Sequence, residues 1–297
     1  MPKTLFSTQS DNNQIQCQTC AQFCTLKPGQ RGLCGVRENI DGQIQVLNYG
    51  KVISQAVDPI EKKPFYHFLP GSLSYSIACA GCNLRCGHCQ NWEISQVREI
   101  KSRSGGIVIP GDKVPTADII TAAQANGCAS IAYTYTEPTV FVEYALDVMS
   151  RAKQHQLKNV WVSNGFMSAK TRQAIVPYLD AINIDLKSFG DDFYQKTCGA
   201  KLQPVLDNIV ACKKENIWLE LTTLIIPTLN DSPEELTQIA KFIFDKLGED
   251  TPWHVSRFSP EISYKMQDLP ATDADVVRQA VAIGKKAGLK NVYAGNI

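Results

Sequence analysis

The chain has 297 residues, 44% hydrophobic and 20% charged, with a formal net charge of +1, the composition of an ordinary globular protein. So small a charge creates no long-range field, so neither nucleic acid nor an anionic membrane is expected as a partner. The first residues lack the apolar run of a signal peptide, and no stretch approaches the roughly 18 apolar residues of a membrane span, so we expect a cytoplasmic protein.

Residues 1–70 differ in composition from the rest of the chain. They are rich in Gln, Asn, Gly and Cys, and their strand-like runs, such as 43–47, are short. Because so little apolar surface would hardly fold alone, we predict a small metal-stapled N-terminal module. The second predicted unit, 71–297, begins where strands and helices start to alternate.

The N-terminal module contains four closely spaced cysteines, which are Cys17, Cys20, Cys24 and Cys34. Cysteines two or three residues apart are poorly placed to bridge each other, but they converge easily on one metal centre. In a cytosolic protein, metal is also favoured over disulfides. Structural zinc is the first prediction and an auxiliary [4Fe-4S] cluster the second, because four thiolates suit both. Unligated thiols are the third alternative.

From residue 71 the sequence alternates between predicted strands and helices. The predicted strands are 73–79, 130–135, 160–163, 181–186, 218–226 and 253–258. Helix signals lie between them, such as Ser232-Pro233 at one start and Thr272 at another. Repeated strand–helix units imply parallel strands, and hence an open sheet or partial barrel with ligands at the carboxyl ends of the strands.

Three further cysteines, Cys82, Cys86 and Cys89, follow the first of these strands in the segment GCNLRCGHCQNW. Thiolates at CxxxCxxC spacing bind three irons of a [4Fe-4S] cubane and leave the fourth iron without a protein ligand. That iron can chelate S-adenosylmethionine (SAM), and an electron delivered to the cluster then releases a 5′-deoxyadenosyl radical. The alternative is a structural zinc loop, with Cys79 or His88 as the fourth ligand.

A longer pattern makes the motif more specific. The segment DPIEKKPFYHFLPG at 58–71, which runs on towards the three cysteines, resembles the radical SAM member of the AmmeMemoRadiSam system. That group is itself similar to the pyruvate formate-lyase activating enzyme. The resemblance covers nearly the whole chain, including Gly35-Val36-Arg37 after the N-terminal cysteines. It implies a radical SAM enzyme with a partial (β/α)6 TIM-like barrel and with reduced ferredoxin or flavodoxin as electron donor.

The resemblance also implies SAM-binding residues in the fourth predicted strand, where Asp185 and Lys187 match the family's Asp-Leu-Lys. By the strand period of two, both share a face with Asn183. Central parallel strands are normally apolar, so polar groups there need partners or a ligand. The alternative is an internal Asp185–Lys187 pair without any ligand.

Two other strand ends carry family matches. Glu137 corresponds to the Glu of the superfamily's Gly-Gly-Glu, although Tyr135-Thr136 replaces the two glycines here. Ser163 and Asn164 resemble part of the family's Thr-Asn-Gly, and either could bond SAM. The alternatives are that Glu137 simply opens the next helix and that Ser163 and Asn164 form an ordinary turn.

The remaining polar and sulfur-containing residues have structural alternatives. Glu220 is unusual for a buried strand, and His254 is either a substrate contact or a satisfied core residue. The scattered cysteines, Cys79, Cys128, Cys198 and Cys212, are predicted to be small buried hydrophobes.

The leading hypothesis is a radical SAM enzyme that abstracts hydrogen from a substrate, either a small molecule or a protein. Its cofactors would be a [4Fe-4S] cluster, SAM, and zinc or a second iron–sulfur cluster. The runner-up is an activase that installs a glycyl radical on a partner protein. A third alternative is a non-catalytic iron–sulfur or zinc module for binding or electron transfer, which would have no use for the polar face of Asn183, Asp185 and Lys187.

Overall fold

Two small antiparallel sheets occupy the cysteine-rich start of the chain. The computed structural model describes residues 3–9, 14–97 and 108–297 of the protein. The strands of these sheets are β1 (Ser7–Gln9), β2 (Ile15–Cys17), β3 (Thr25–Leu26), β4 (Arg37–Ile40) and β5 (Gln43–Val46). They pair in the orders β1-β2-β3 and β4-β5. The run predicted at 43–47 is confirmed as β5.

The other strands of the described residues form one nine-stranded sheet. They are β6 (Lys51–Pro59), β7 (Leu73–Cys79), β8 (Asp112–Lys113), β9 (Ser130–Tyr133), β10 (Lys158–Ser163), β11 (Ala181–Asp185), β12 (Trp218–Ile225), β13 (Trp253–Arg257) and β14 (Val292–Gly295). Their order is β14-β13-β12-β11-β10-β9-β7-β6-β8, and the strands from β7 to β14 in that row are parallel. All six predicted strands are confirmed, with small differences at their ends.

Strand β6 lies antiparallel to β7 and extends the main sheet. It belongs to the stretch that the sequence assigns to the N-terminal module, so the division at residue 70 stays a prediction. The antiparallel addition has no counterpart in the strand–helix alternation from which the sheet was predicted.

Helical segments follow the parallel strands. They are α1 (Trp92–Ser95), α2 (Thr116–Ala125), α3 (Val142–Gln154), α4 (Ala169–Ile175), α5 (Asp191–Phe193), α6 (Gln203–Lys214), α7 (Pro233–Leu247) and α8 (Ala274–Lys286). The end strands β14 and β8 do not pair with each other, so the sheet stays open. This is the predicted α/β fold, a partial (β/α)6 barrel. No helix within the described ranges has the length and apolarity needed to cross a membrane.

The helix starts were predicted with mixed success. Ser232 caps α7 as predicted, with its side chain accepting a backbone N–H. The cap of α8 is Asp273, and the prediction of Thr272 was wrong. The Thr272 hydroxyl instead donates to the Ile225 carbonyl and accepts the Phe258 N–H, which ties the chain before α8 to the ends of β12 and β13.

The two faces of the main sheet are covered differently. One face carries the large apolar core that packs against the helices. On the opposite face, called here the inner face, Ile60 and Phe65 pack against Ala132, Val160 and Ala181. The segment 60–68 therefore covers the inner face of β9, β10 and β11.

Glu220 on β12 holds that segment in place. Its carboxylate accepts the backbone N–H groups of Tyr66 and His67 at 3.0 Å each, and the indole N–H of Trp218 at 3.0 Å. His254 Nε2 lies 2.7 Å from the same carboxylate, which when ionised can only accept. Burial raises the pKa of Glu220, but these hydrogen bonds outweigh it and lower the pKa below its ordinary value. The structure therefore places His254 in the core.

Replacing Glu220 by Gln is expected to destabilise the fold by about 3 kcal/mol, because an amide N–H₂ would face donors that the carboxylate now satisfies. Urea unfolding at pH 7 measures the loss. The exposed Glu234→Gln, in the first turn of α7, is the control and should change stability by about 0.5 kcal/mol or less. Equal stability of the two variants would contradict this role of Glu220.

The difference in stability between wild type and Glu220→Gln should depend on pH. Folding lowers the pKa of Glu220, so its ionised form stabilises the fold above the unfolded-state pKa of about 4.3. That contribution is lost as pH falls through the folded-state pKa. The gap between wild type and Glu220→Gln should therefore shrink below about pH 4.

Candidate functional site

The predicted site residues lie where the parallel strands end. Strand β7 leads into residues 80–91, called here the CxxxCxxC loop, and β9 leads into Glu137. Ser163 is the last residue of β10, and Asp185 is the last residue of β11. Because these strands are parallel, their carboxyl ends meet at one edge of the sheet, where α/β folds bind ligands.

The CxxxCxxC loop is held by its neighbours through the main chain. The Gly81 N–H donates to Ile94 O at 2.9 Å, and the Arg85 N–H donates to Cys198 O at 2.7 Å. Within the loop, the Leu84 N–H donates to Cys82 Sγ at 3.4 Å. Thus the loop has a defined conformation in which each cysteine has a fixed place.

The three thiols of the loop have perturbed acidity. Burial, and then the nearby charge of Glu137, raise the pKa of Cys82. A hydrogen bond with Cys198, and then burial, raise that of Cys86, and burial raises that of Cys89. Without a metal these thiols therefore hold their protons at neutral pH, and metal binding has to release them.

The spacing of the sulfurs tests which metal group the loop fits. Among the described residues, the sulfurs of Cys82, Cys86 and Cys89 do not all lie within 4.8 Å of one another. Tetrahedral zinc, with zinc–sulfur bonds of 2.3 Å, needs its sulfurs about 3.8 Å apart. A cubane has irons between its thiolates and spreads them further. The donor set and its spacing therefore fit an iron–sulfur cluster better than zinc.

Cys86 has two close neighbours outside the three-cysteine set. Its sulfur, a ring nitrogen of His88 and the sulfur of Cys198 lie within 4.8 Å, and all three residues are buried. A zinc ion here would use Cys86 and leave Cys82 and Cys89 unbound. Cys198 is buried as predicted, but the sequence contains no signal that it packs against the motif, because it lies on the distant turn Tyr194–Cys198.

Glu137 joins the ends of β9 and β10. One carboxylate oxygen accepts from the Thr139 N–H at 3.0 Å and the Ser163 hydroxyl at 2.9 Å, and the other accepts from the Asn164 N–H at 2.8 Å. Burial raises the pKa of Glu137, although these hydrogen bonds act in the opposite direction. Glu137 also caps the helical turn Pro138–Phe141, so the predicted helix-opening role coexists with its position at the site.

Asn164 carries this network into the CxxxCxxC loop. Its side-chain amide donates to Asn83 Oδ1 at 2.8 Å and lies 3.7 Å from Cys82 Sγ. Its carbonyl oxygen accepts from the Phe166 N–H at 2.9 Å, which fixes the orientation of the amide. The structure thus brings three predicted residues, Glu137, Ser163 and Asn164, together beside Cys82.

Asp185 and Lys187 form an ion pair with 2.8 Å between Asp185 Oδ2 and Lys187 Nζ. Burial lowers the pKa of Lys187, but Asp185 and then Cys86 outweigh it and raise the pKa. The two side chains are therefore paired with each other, and the pair lies beside the loop. Asn183 shares strand β11 with Asp185, but its amide donates to the Pro64 carbonyl and so fixes the segment 60–68.

A polar cluster near the site was missed in the sequence. Asp58 accepts from Lys63 and Tyr135 at 2.7 Å each, and from Ser76 at 3.3 Å. Burial alone raises the pKa of Asp58, but these partners lower it to about 2, while burial raises the pKa of Tyr135 to about 12. Asn91 of the CxxxCxxC loop donates to the Tyr135 carbonyl at 2.8 Å, which connects the cluster to the motif.

Tyr135 replaces a glycine of the family pattern and has the backbone conformation that glycine favours. Its φ of 64° lies in the left-handed region, which a bulky residue rarely adopts. Tyr135 occupies one of the positions where the superfamily pattern has glycine, so this chain keeps a backbone shape suited to glycine. A tyrosine at a position where the family pattern has glycine was therefore the signal in the sequence that could have pointed to the cluster of Asp58, Lys63 and Tyr135.

The comparisons with known proteins agree with this geometry. A parallel α/β barrel with three cysteines in the loop after its first parallel strand defines a class of iron–sulfur proteins. The chain belongs to the radical SAM superfamily, whose pattern matches residues 76–243.

Relatives and solved structures extend the comparison. The protein MJ0808 of Methanocaldococcus jannaschii is 41% identical over 100% of this chain and 86% of its own. The pyruvate formate-lyase-activating enzyme of Clostridium pasteurianum is 22% identical over 66% of this chain and 83% of its own. A radical SAM methyltransferase from Sphaerobacter thermophilus has the same fold, with a TM-score of 0.58 and 12% identity over 76% of this chain and 67% of its own. The predicted similarity to the activating enzyme is confirmed.

Replacing Gly165 by Ala tests the packing of the β10 end. A Cβ there would lie 2.8 Å from Ile184 Cγ2 and 3.2 Å from Val205 Cγ1, at a φ of +70°. We expect a loss of about 3 kcal/mol in urea unfolding, from overpacking and left-handed strain together. Gly127→Ala is the control, because its φ is +64° and nothing lies within 4 Å of its Cβ, so strain alone should cost about 1 kcal/mol. Similar losses in both variants would contradict the close packing at Gly165.

Proposed function

We propose that the protein is a radical SAM enzyme whose catalytic [4Fe-4S] cluster is bound by Cys82, Cys86 and Cys89. When bound, the cluster and SAM supply a reductive cleavage that yields a 5′-deoxyadenosyl radical, which abstracts hydrogen from the substrate. The observation that carries the proposal is the network in which Asn164 contacts Cys82 and binds Glu137. This network supports the proposal, because residues that match the family's SAM-binding positions contact the loop that would hold the cluster.

The side chains around the loop suit the charged groups of SAM. Glu137 has hydrogen-bonding capacity left on the oxygen that accepts from Asn164, so it can take an ammonium group. An ammonium would also compensate the cost of burying this carboxylate. Asp185 and Lys187 offer one acceptor and one cation, which suit a hydroxyl and a carboxylate respectively. Such contacts hold SAM in one orientation, and orientation decides which hydrogen the radical meets.

A glycyl-radical activase is the second candidate. It is supported by the similarity to the pyruvate formate-lyase-activating enzyme over most of that protein's length. A requirement for a partner protein would favour it over the modification of a small molecule. The non-catalytic alternative has less support, because electron transfer alone does not need a buried carboxylate network beside the motif.

The electron source and location are part of the proposal. Reduced ferredoxin or flavodoxin would supply the single electron, since the reaction begins by reducing the cluster. A reducing cytoplasm suits eleven cysteines of which none forms a disulfide within the described chain.

The direct test measures 5′-deoxyadenosine after anaerobic reconstitution, dithionite reduction and addition of SAM. Wild type should form the product, whereas Cys86→Ala should fall to the level of a protein-free mixture, because two thiolates do not hold the cubane in place. Cys128→Ala is the control, since this buried cysteine lies between α2 and β9, and it should keep wild-type activity. Equal product from wild type and Cys86→Ala would refute the proposed reaction.

The role of Glu137 is tested by binding. Glu137→Gln should weaken SAM affinity about tenfold or more, since it removes the charge and a charged hydrogen bond is worth about 1.5–3 kcal/mol. The measurement is a titration of the electron paramagnetic resonance (EPR) signal of the reduced cluster with SAM. Glu215→Gln is the control. It removes the ion pair between Glu215 and Arg172, and this variant should bind SAM as wild type does. Unchanged affinity in Glu137→Gln, with iron content intact, would remove Glu137 from the SAM site.

A further inference from the structure

The N-terminal cysteines lie directly against the CxxxCxxC loop. Gln22, between Cys20 and Cys24 in the chain, donates its side-chain amide to Asn83 O at 3.0 Å and Gly199 O at 2.9 Å. On the other side, a Cβ on Gly81 would lie 3.1 Å from the carbonyl oxygen of Cys34. Gly81 immediately precedes Cys82. The main chain of Cys34 therefore lies close to the main chain that immediately precedes Cys82.

The four N-terminal sulfurs surround a common space. A Cβ on Gly32 would lie 3.7 Å from Cys34 Sγ and 3.8 Å from Cys24 Sγ, so both sulfurs lie beside the same glycine. Burial, and then the charges of Cys17 and Cys34, raise the pKa of Cys20, as expected for thiols that face one another. The four thiols therefore lie near enough to one another to interact.

The separation of these sulfurs favours a cluster over a single ion. Within the described residues, no three of the four lie within 4.8 Å of one another. A structural zinc ion would need all four about 3.8 Å apart. A cubane needs wider separations, because each thiolate binds a different iron. The geometry thus favours the second of the predicted metal groups over the first.

We propose that Cys17, Cys20, Cys24 and Cys34 bind a second [4Fe-4S] cluster, which passes electrons to the cluster at the CxxxCxxC loop. Four thiolates satisfy all four irons, so this cluster has no position for SAM and serves only in redox chemistry. Its electron-transfer role rests on the proposed function, because it supplies the electron that the SAM reaction consumes.

The electron balance of the step is simple. A reduced ferredoxin or flavodoxin gives one electron to the N-terminal cluster, and the donor is oxidised. The cluster that Cys17, Cys20, Cys24 and Cys34 would hold would then pass one electron to the cluster that Cys82, Cys86 and Cys89 would hold, and would itself be oxidised again. No covalent bond forms or breaks. The adjacent positions of Cys34 and Gly81 make this transfer short.

Metal analysis of the full chain tests the site without relying on activity. After anaerobic reconstitution with iron and sulfide, wild type should hold about eight irons and no zinc. The variant Cys82→Ala/Cys86→Ala/Cys89→Ala should keep about four irons, all at the N-terminal site, and Cys17→Ala/Cys20→Ala should keep the other four. Cys212→Ala, a buried cysteine of α6, is the control and should keep about eight.

The outcomes separate this proposal from the proposed function. One zinc and no iron in the triple variant would overturn the second cluster, even if wild type cleaves SAM. Four irons in the triple variant would support it, even if wild type cleaves no SAM. Because the triple variant leaves the N-terminal cysteines intact, the test holds even if Cys17→Ala/Cys20→Ala fails to fold.

EPR of the dithionite-reduced proteins tests the electron-transfer role. Two reduced clusters in adjacent positions should couple magnetically, so the wild-type spectrum should be broadened relative to those of the two variants. The broadening should be absent when either cluster is removed. A wild-type spectrum equal to the sum of the two variant spectra would overturn the transfer between them.

Discussion

A buried carboxylate needs hydrogen-bond donors, and that constraint organises the carboxyl end of this sheet. Glu137 has no solvent to stabilise it, so Ser163 and Asn164 turn their donors towards it at the end of the neighbouring strand. Asn164 in turn holds Asn83 in the CxxxCxxC loop. The cysteine motif is therefore connected through Asn164 to a carboxylate that follows a different strand, β9, and a cation bound at Glu137 would act on the same network.

Part of the inner face of the sheet is covered by the segment 60–68. Glu220, Asn183 and the apolar residues near them are occupied in binding this segment. The polar residues of this region thus form two groups. Glu220 and Asn183 hold the segment 60–68, whereas Glu137 and Ser163 lie near the cysteine motif. The N-terminal cysteine segment contacts the CxxxCxxC loop through Gln22 and also contacts the chain after β10, where the Ala21 N–H donates to Phe166 O.

Much of the fold could be predicted because its signals are local. Six of the seven parallel strands follow from apolar runs between helix caps, whereas β14 was not predicted, and the cysteine motif is contained in one short segment. Contacts between distant segments could not be predicted. Cys198 reaches Cys86 only because the turn after α5 folds over the loop, and Thr272 has a tertiary role that outweighs its value as a cap. The cluster of Asp58, Lys63 and Tyr135 likewise joins β6 to the end of β9, and the antiparallel position of β6 leaves no periodic signal.

The most direct measurement of the central claim is electron–nuclear double resonance on the reduced protein, with SAM labelled with ¹⁵N at its amino group. If Cys82, Cys86 and Cys89 leave one iron of a cubane open, the labelled nitrogen binds that iron and shows a strong hyperfine coupling. We expect this coupling in wild type and its absence in the variant lacking the three cysteines. A reduced wild-type cluster that shows no coupling to SAM would contradict an open iron at this site.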